Sequence, residues 1–226
     1  MCGKENRLIG YSERGVMNAL FYSIANDKTE MENFLKLTGQ SFSLQDDYKI
    51  YMEHSLSQFG TPDAVITDAH NVFFIEAKVC KGDNNWSIKT ELEKFDNYKN
   101  KVSNKPKYGL FTQLYWKTLL NKDGIEQDEF SDRTRKIGSN EVVTDFFEKI
   151  KNRTLYYIGI IPTSETLSDL ATDKRNELEK FFGEDNKNLF LIPWQKIEKE
   201  FSYSYQLLFD VFEHNRNQIY IKEENN

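Results

Sequence analysis

The chain has 226 residues, 38% of them hydrophobic and 29% charged, with a formal net charge of −6. That length suffices for one domain with a well-buried core, and the balance is that of a globular rather than a disordered chain. No apolar run is long enough to span a bilayer, and the acidic total argues against nonspecific nucleic-acid binding over the whole surface while leaving room for a local basic groove.

Residues 12–25 read as a helix, with Val16, Met17, Leu20, Phe21 and Ile24 at helical spacing. Residues 47–56 read as a strand. The run from Thr61 to Val79 holds two apolar segments around the polar turn Asp68–Asn71, a hairpin pattern. Residues 87–102 read as a helix through Ile88, Leu92, Phe95 and Val102, and residues 107–121 as another. A polar loop is expected over 122–140 and a helix over 141–152. The wholly apolar run 154–161 reads as a buried strand. A helix over 164–182 with Gly183 as its stop precedes a second buried strand, 188–192. Residues 194–214 read as mostly helical, and the tail after Arg216 is polar. No internal repeat or Pro-rich linker divides the chain, so 1–226 is expected to be one domain. A helical crossover between the later strands implies parallel pairing.

The chemistry concentrates in the hairpin. Strand side chains alternate faces, so Phe74, Glu76 and Lys78 share one face and Phe73, Ile75, Ala77 and Val79 the other. A carboxylate and an ammonium inside an apolar strand are costly to bury without partners. Asp63, at the head of the preceding strand, supplies a second carboxylate close by. Two carboxylates converging with a lysine suit a divalent metal, and such metals suit phosphodiester chemistry. Acidic-x-Lys also occurs at Asp47-Tyr48-Lys49 and Asp185-Asn186-Lys187, but neither follows a Pro-Asp. The plain alternative is a cross-strand salt bridge on an ordinary hairpin.

Pro62-Asp63, a turn, then Glu76-Ala77-Lys78 inside an apolar strand resembles the PD-(D/E)xK nuclease superfamily. The resemblance covers about residues 12–105 and 154–200. It implies an α/β, restriction-endonuclease-like core of order α-β-β-β-α-β, a mixed sheet flanked by helices, with 107–152 as a helical insertion. It implies catalytic Asp63, Glu76 and Lys78, and Mg²⁺, or Mn²⁺, held by Asp63, Glu76 and the Ala77 carbonyl, with no small-molecule cofactor. Glu13 lies on the apolar stripe of the first helix and fits the glutamate that many members place in the metal shell. The other reading of Glu13 is a first-turn acid favoured by the helix dipole. RecB-like members carry Gln-Leu-x-x-Tyr in the following helix. Here Lys94-Phe95-Asp96-Asn97-Tyr98 keeps the tyrosine and replaces the glutamine with lysine.

DNA is the substrate that the resemblance implies, and many relatives act as homodimers. Lys94, Tyr98, Lys99 and Lys101, with Lys105 and Lys107 beyond, form the stretch expected to meet phosphates, against the reading of a solvated helix face. Cys2 and Cys80 make no disulfide or metal pattern, and the N-terminal seven residues lack a signal-peptide core. A cytoplasmic setting without membrane attachment is therefore expected. His54, His70 and His214 are scattered, which makes a zinc site unexpected, and Asp68 reads as a turn former. Three other readings stay open. They are a silent nucleic-acid-binding or assembly module of the same fold, an RNA-directed nuclease, and an oligomerising interaction protein.

Overall fold

The computed structural model describes residues 12–56, 59–80, 86–100, 109–121, 146, 149–150, 152–182 and 188–220. In chain order its elements are α1 (Glu13–Ile24), α2 (Lys28–Lys36), β1 (Lys49–Met52), β2 (Ala64–Thr67), β3 (Asn71–Ala77), α3 (Ile88–Lys99), α4 (Leu110–Thr118), β4 (Thr154–Ile161), α5 (Thr172–Glu179), β5 (Leu189–Pro193), α6 (Trp194–Phe201) and α7 (Gln206–Ile219).

The β2–β3 hairpin sets the frame. Asp68 Oδ1 accepts the backbone N–H groups of His70 and Asn71, both at 2.8 Å, and this local bonding closes the turn. The strands pair antiparallel, with Ala64 opposite Ile75 and Thr67 opposite Val72. β1 adds antiparallel to β2, while β4 and β5 add in parallel beyond β3. The described residues thus form a five-stranded mixed sheet in the order β1-β2-β3-β4-β5, flanked by helices.

Side-chain alternation separates two cores. Phe73, Ile75 and Ala77 pack with the apolar faces of α1, α2, α6 and α7. Val72 and Phe74 face the opposite way, onto α3, α4 and Leu178 of α5. Each layer buries one helix stripe against one sheet face, the arrangement by which an α/β domain removes both faces from water. No described helix is long and apolar enough to cross a membrane.

Three expectations are corrected, and one helix is added. α2 did not stand out in the sequence, although Asp27 caps it by accepting Thr29 N–H at 2.9 Å and Glu30 N–H at 3.3 Å. β1 covers only part of 47–56, because Glu53 turns to φ 49°, the left-handed region that ends a regular strand. The helix expected over 164–182 splits: a 3₁₀ turn, Leu167–Asp169, is closed by a Thr166–Asp169 capping box, and α5 begins after an extended Leu170. The helix expected over 194–214 breaks between α6 and α7 at Ser202-Tyr203-Ser204-Tyr205, residues of modest helix propensity. Within 107–152, α4 packs directly on β3 and β4. Phe146 is buried against Tyr51 and Phe74. The loop expected over 122–140 lies outside the described residues.

Candidate active site

Asp63 stands where the β2–β3 ladder stops, one residue before the Ala64–Ile75 pair. Its main chain is pinned on both sides: its N–H donates to Ile75 O at 3.0 Å, and its carbonyl accepts Glu53 N–H at 3.1 Å. Pro62 before it has no N–H to leave unsatisfied. The side chain continues the ladder in place of the backbone, with Oδ2 accepting Ala77 N–H at 2.7 Å. The other oxygen, Oδ1, accepts no hydrogen bond among the described residues. The Pro-Asp corner and the Glu-Ala-Lys segment are therefore joined by a direct contact.

Glu76 is 1% exposed and points to the face of β3 that α3 and α4 cover. Its Oε1 accepts from Nζ of Lys117, a lysine of α4 with 0% exposure. Leu110, Leu114 and Lys117 are spaced i, i+4, i+7 and share one face of that helix. Long helical side chains lean toward the N-terminus, which lets Lys117 reach back along α4 toward the sheet. Gly159, the register partner of Glu76, makes the close approach of α4 feasible. A Cβ there would lie 2.8 Å from methyl carbons of both Leu110 and Leu191.

Lys78 follows directly after β3. Its N–H donates to Ile160 O at 2.8 Å, and its carbonyl accepts the Trp194 indole N–H at 2.9 Å, so its backbone is held from both sides. Nζ lies 3.4 Å from Oε1 of Glu13, at the first position of α1, where Ser12 caps the helix by accepting Gly15 N–H. Burial alone lowers the Lys78 ammonium, but Glu13, Glu76, Asp63 and Glu91 outweigh it and the net direction is upward. Burial pushes the Asp63 carboxyl up to about 7. Glu76 and Glu13 add to the rise, while Ala77 N–H and Lys78 oppose it. Asp63, Glu76, Lys78 and Glu13 thus share one electrostatic site at the carboxyl end of β3.

The neighbouring helix α3 is tied to this site by Glu91, which is 2% exposed. Its Oε2 accepts Leu110 N–H at 2.6 Å, supplying a cap that Gly109 has no side chain to provide. Its Oε1 accepts from Lys94 Nζ at 2.6 Å, and Lys94 remains half exposed beside the site. Tyr98 faces inward, its hydroxyl accepting the Trp116 indole N–H at 3.0 Å. Lys99 donates to Tyr115 OH at 2.8 Å and lies 4.2 Å above that ring, a packed cation–π position. Of the expected phosphate contacts, Lys94 is the one beside the carboxylates. Lys101, Lys105 and Lys107 lie outside the described residues.

Lys117, Glu91 and Gly159 were not singled out in the sequence. Lysine inside Leu-Phe-Thr-Gln-Leu-Tyr-Trp-Lys-Thr-Leu-Leu, and glutamate between Ile88 and Phe95 on the apolar face of α3, are charges on buried stripes. That is the same signal that marks Glu13 and Glu76.

Among the described residues, no group of three or more His, Cys, Asp or Glu side chains is arranged to hold a metal ion. Lys117 sits on Glu76, Lys78 on Glu13, and Ala77 N–H on one oxygen of Asp63. The donor chemistry is nevertheless of the kind that Mg²⁺ or Mn²⁺ takes: the available groups are hard oxygens, and burial, with Glu76 and Glu13 beside it, drives the Asp63 carboxyl upward. Mg²⁺ is commonly held by one or two carboxylates, waters and substrate phosphate, so a closed protein cage is not required. Comparison with protein-family models, with curated proteins and with solved structures gives no match, so the motif and this geometry carry the functional reading.

Proposed function

We propose that the protein is a divalent-metal-dependent nuclease of the PD-(D/E)xK type, with a restriction-endonuclease-like core and DNA as its substrate. The observation that carries the reading is the meeting of Asp63, Glu76, Lys78 and Glu13 at the carboxyl end of β3. Residues 13, 63, 76 and 78 come from the first helix, the head of one strand and the end of the next, which is the distribution that the sequence resemblance implies. A defence or repair role, a homodimer and a cytoplasmic setting accompany this reading through the resemblance alone.

Asp63 and Glu76 would hold Mg²⁺ or Mn²⁺, with Glu13 and the Ala77 carbonyl as further oxygens. Bound there, the ion supplies Lewis acidity, lowering the pKa of water and offsetting charge on the phosphate. Lys78, held beside Glu13, serves as a positive hydrogen-bond donor. Its ammonium holds the attacking water in place and stabilises charge that builds on the phosphoryl oxygens. Lys94, half exposed next to Glu91, is placed for a flanking phosphate.

The pairing of Glu76 with Lys117 and of Lys78 with Glu13 supports a second reading, a silent binding module whose charges neutralise one another. Supercoiled plasmid, linear duplex and single-stranded RNA, each incubated with Mg²⁺, Mn²⁺ or EDTA, separate the readings. The nuclease reading expects metal-dependent cutting of DNA that Asp63→Asn loses. Binding without cutting in any metal favours the silent module, and cutting confined to RNA moves the substrate.

A further inference from the structure

We propose that Lys117 is a built-in competitor for the metal: its ammonium occupies Glu76 Oε1 when no divalent ion is bound and must yield that oxygen when one binds. The inference rests on the nuclease reading of the same site and adds a residue to it that the Asp-Glu-Lys motif does not contain.

Both partners are almost fully withdrawn from water, with side-chain exposures of 1% for Lys117 and 2% for Glu76. A buried ion pair is not a stability device by default, because desolvation offsets most of the attraction. A lysine buried in the last turn of an apolar helix, with its ammonium on a carboxylate, therefore calls for another reason, and the packing of α4 delivers it. Gly159 opens the sheet surface to Leu110, and Glu91 fixes Leu110 N–H at the start of the helix. Lys117 then reaches the carboxylate that a metal would need. An ammonium is a single monovalent charge on a flexible stem and can withdraw. A divalent ion brings twice the charge and shorter contacts to oxygen. The arrangement gives Glu76 a counter-charge in both states and weakens divalent binding by the cost of displacing Lys117.

The test is divalent affinity rather than turnover. Mn²⁺ and Mg²⁺ binding to the full chain is measured by isothermal titration for wild type, Lys117→Met, Lys117→Arg and Glu76→Gln. Methionine keeps the length and removes the charge, so Lys117→Met should bind about 10- to 100-fold more tightly, the range over which outer partners tune metal sites. Arginine can hold both carboxylate oxygens at once, so Lys117→Arg should bind more weakly. Unchanged or weaker binding in Lys117→Met overturns the proposal and leaves the nuclease reading intact. If that variant does not fold, unchanged or tighter binding in Lys117→Arg overturns it equally. Loss of binding in Glu76→Gln, with wild type binding normally, is expected. If wild type itself binds neither ion, the metal-site reading fails and the competitor with it.

Discussion

At Asp63, burial beside Glu76 and Glu13 raises the carboxyl from 3.8 to about 7. The folded chain therefore holds that proton more tightly than the unfolded chain between about pH 4 and 7. Stability contributed by this group falls as pH rises through that window and levels off above it. Asp63→Asn keeps an acceptor for Ala77 N–H and does not titrate. Its urea midpoint should change less than that of wild type between pH 5 and pH 8, and should exceed wild type at pH 8. A variant with the wild-type pH slope would remove Asp63 as the source. Asp63, Glu76 and Lys78 were legible because each breaks an apolar strand or heads it after a proline. Lys117 carries the same kind of signal. In the sequence it reads as a surface lysine of an inserted segment, and only the packing of α4 on β3 buries it.

Among the elements, α4 does most to shape the site, and two residues outside it, Glu91 and Gly159, decide where it sits. Glu91→Ala leaves the Leu110 N–H and the Lys94 ammonium without their carboxylate. It should cost about 1–3 kcal/mol in urea denaturation, the penalty for stranding a buried donor, and Glu91→Gln clearly less. Equal losses in the two variants would mean that packing, not the cap, is what Glu91 supplies. Gly159→Ala puts a methyl against the ends of the Leu110 and Leu191 side chains and should cost about 1–3 kcal/mol in urea denaturation. The hairpin, β4 and β5 were readable because continuous apolar runs between turn residues leave little choice of state. The breaks at Leu170 and at Ser202–Tyr205 were not, because a capping box and a short Ser/Tyr stretch interrupt helices whose apolar spacing continues across the gap. α2 is short: three apolar residues, Met31, Phe34 and Leu35, at i, i+3 and i+4 give a weak periodic signal in nine residues, and the cap at Asp27 marks its start.

For the molecule as a whole, a net charge of −6 means that any DNA is held through a local set of cations rather than a general field. The two cores on opposite sheet faces leave the carboxyl end of β3, the start of α1 and the head of β2 to meet at one place, and the account stands on the chemistry assigned there. The most direct test is the conversion of supercoiled plasmid by wild type and Lys78→Ala, side by side, in Mg²⁺ and in EDTA. The account predicts nicked or linear product from wild type in Mg²⁺ alone, with a rate lower by about 10²- to 10³-fold in Lys78→Ala, the usual effect of removing one donor to a developing oxyanion. Intact plasmid from a folded wild-type protein, or equal cutting by Lys78→Ala, would contradict it.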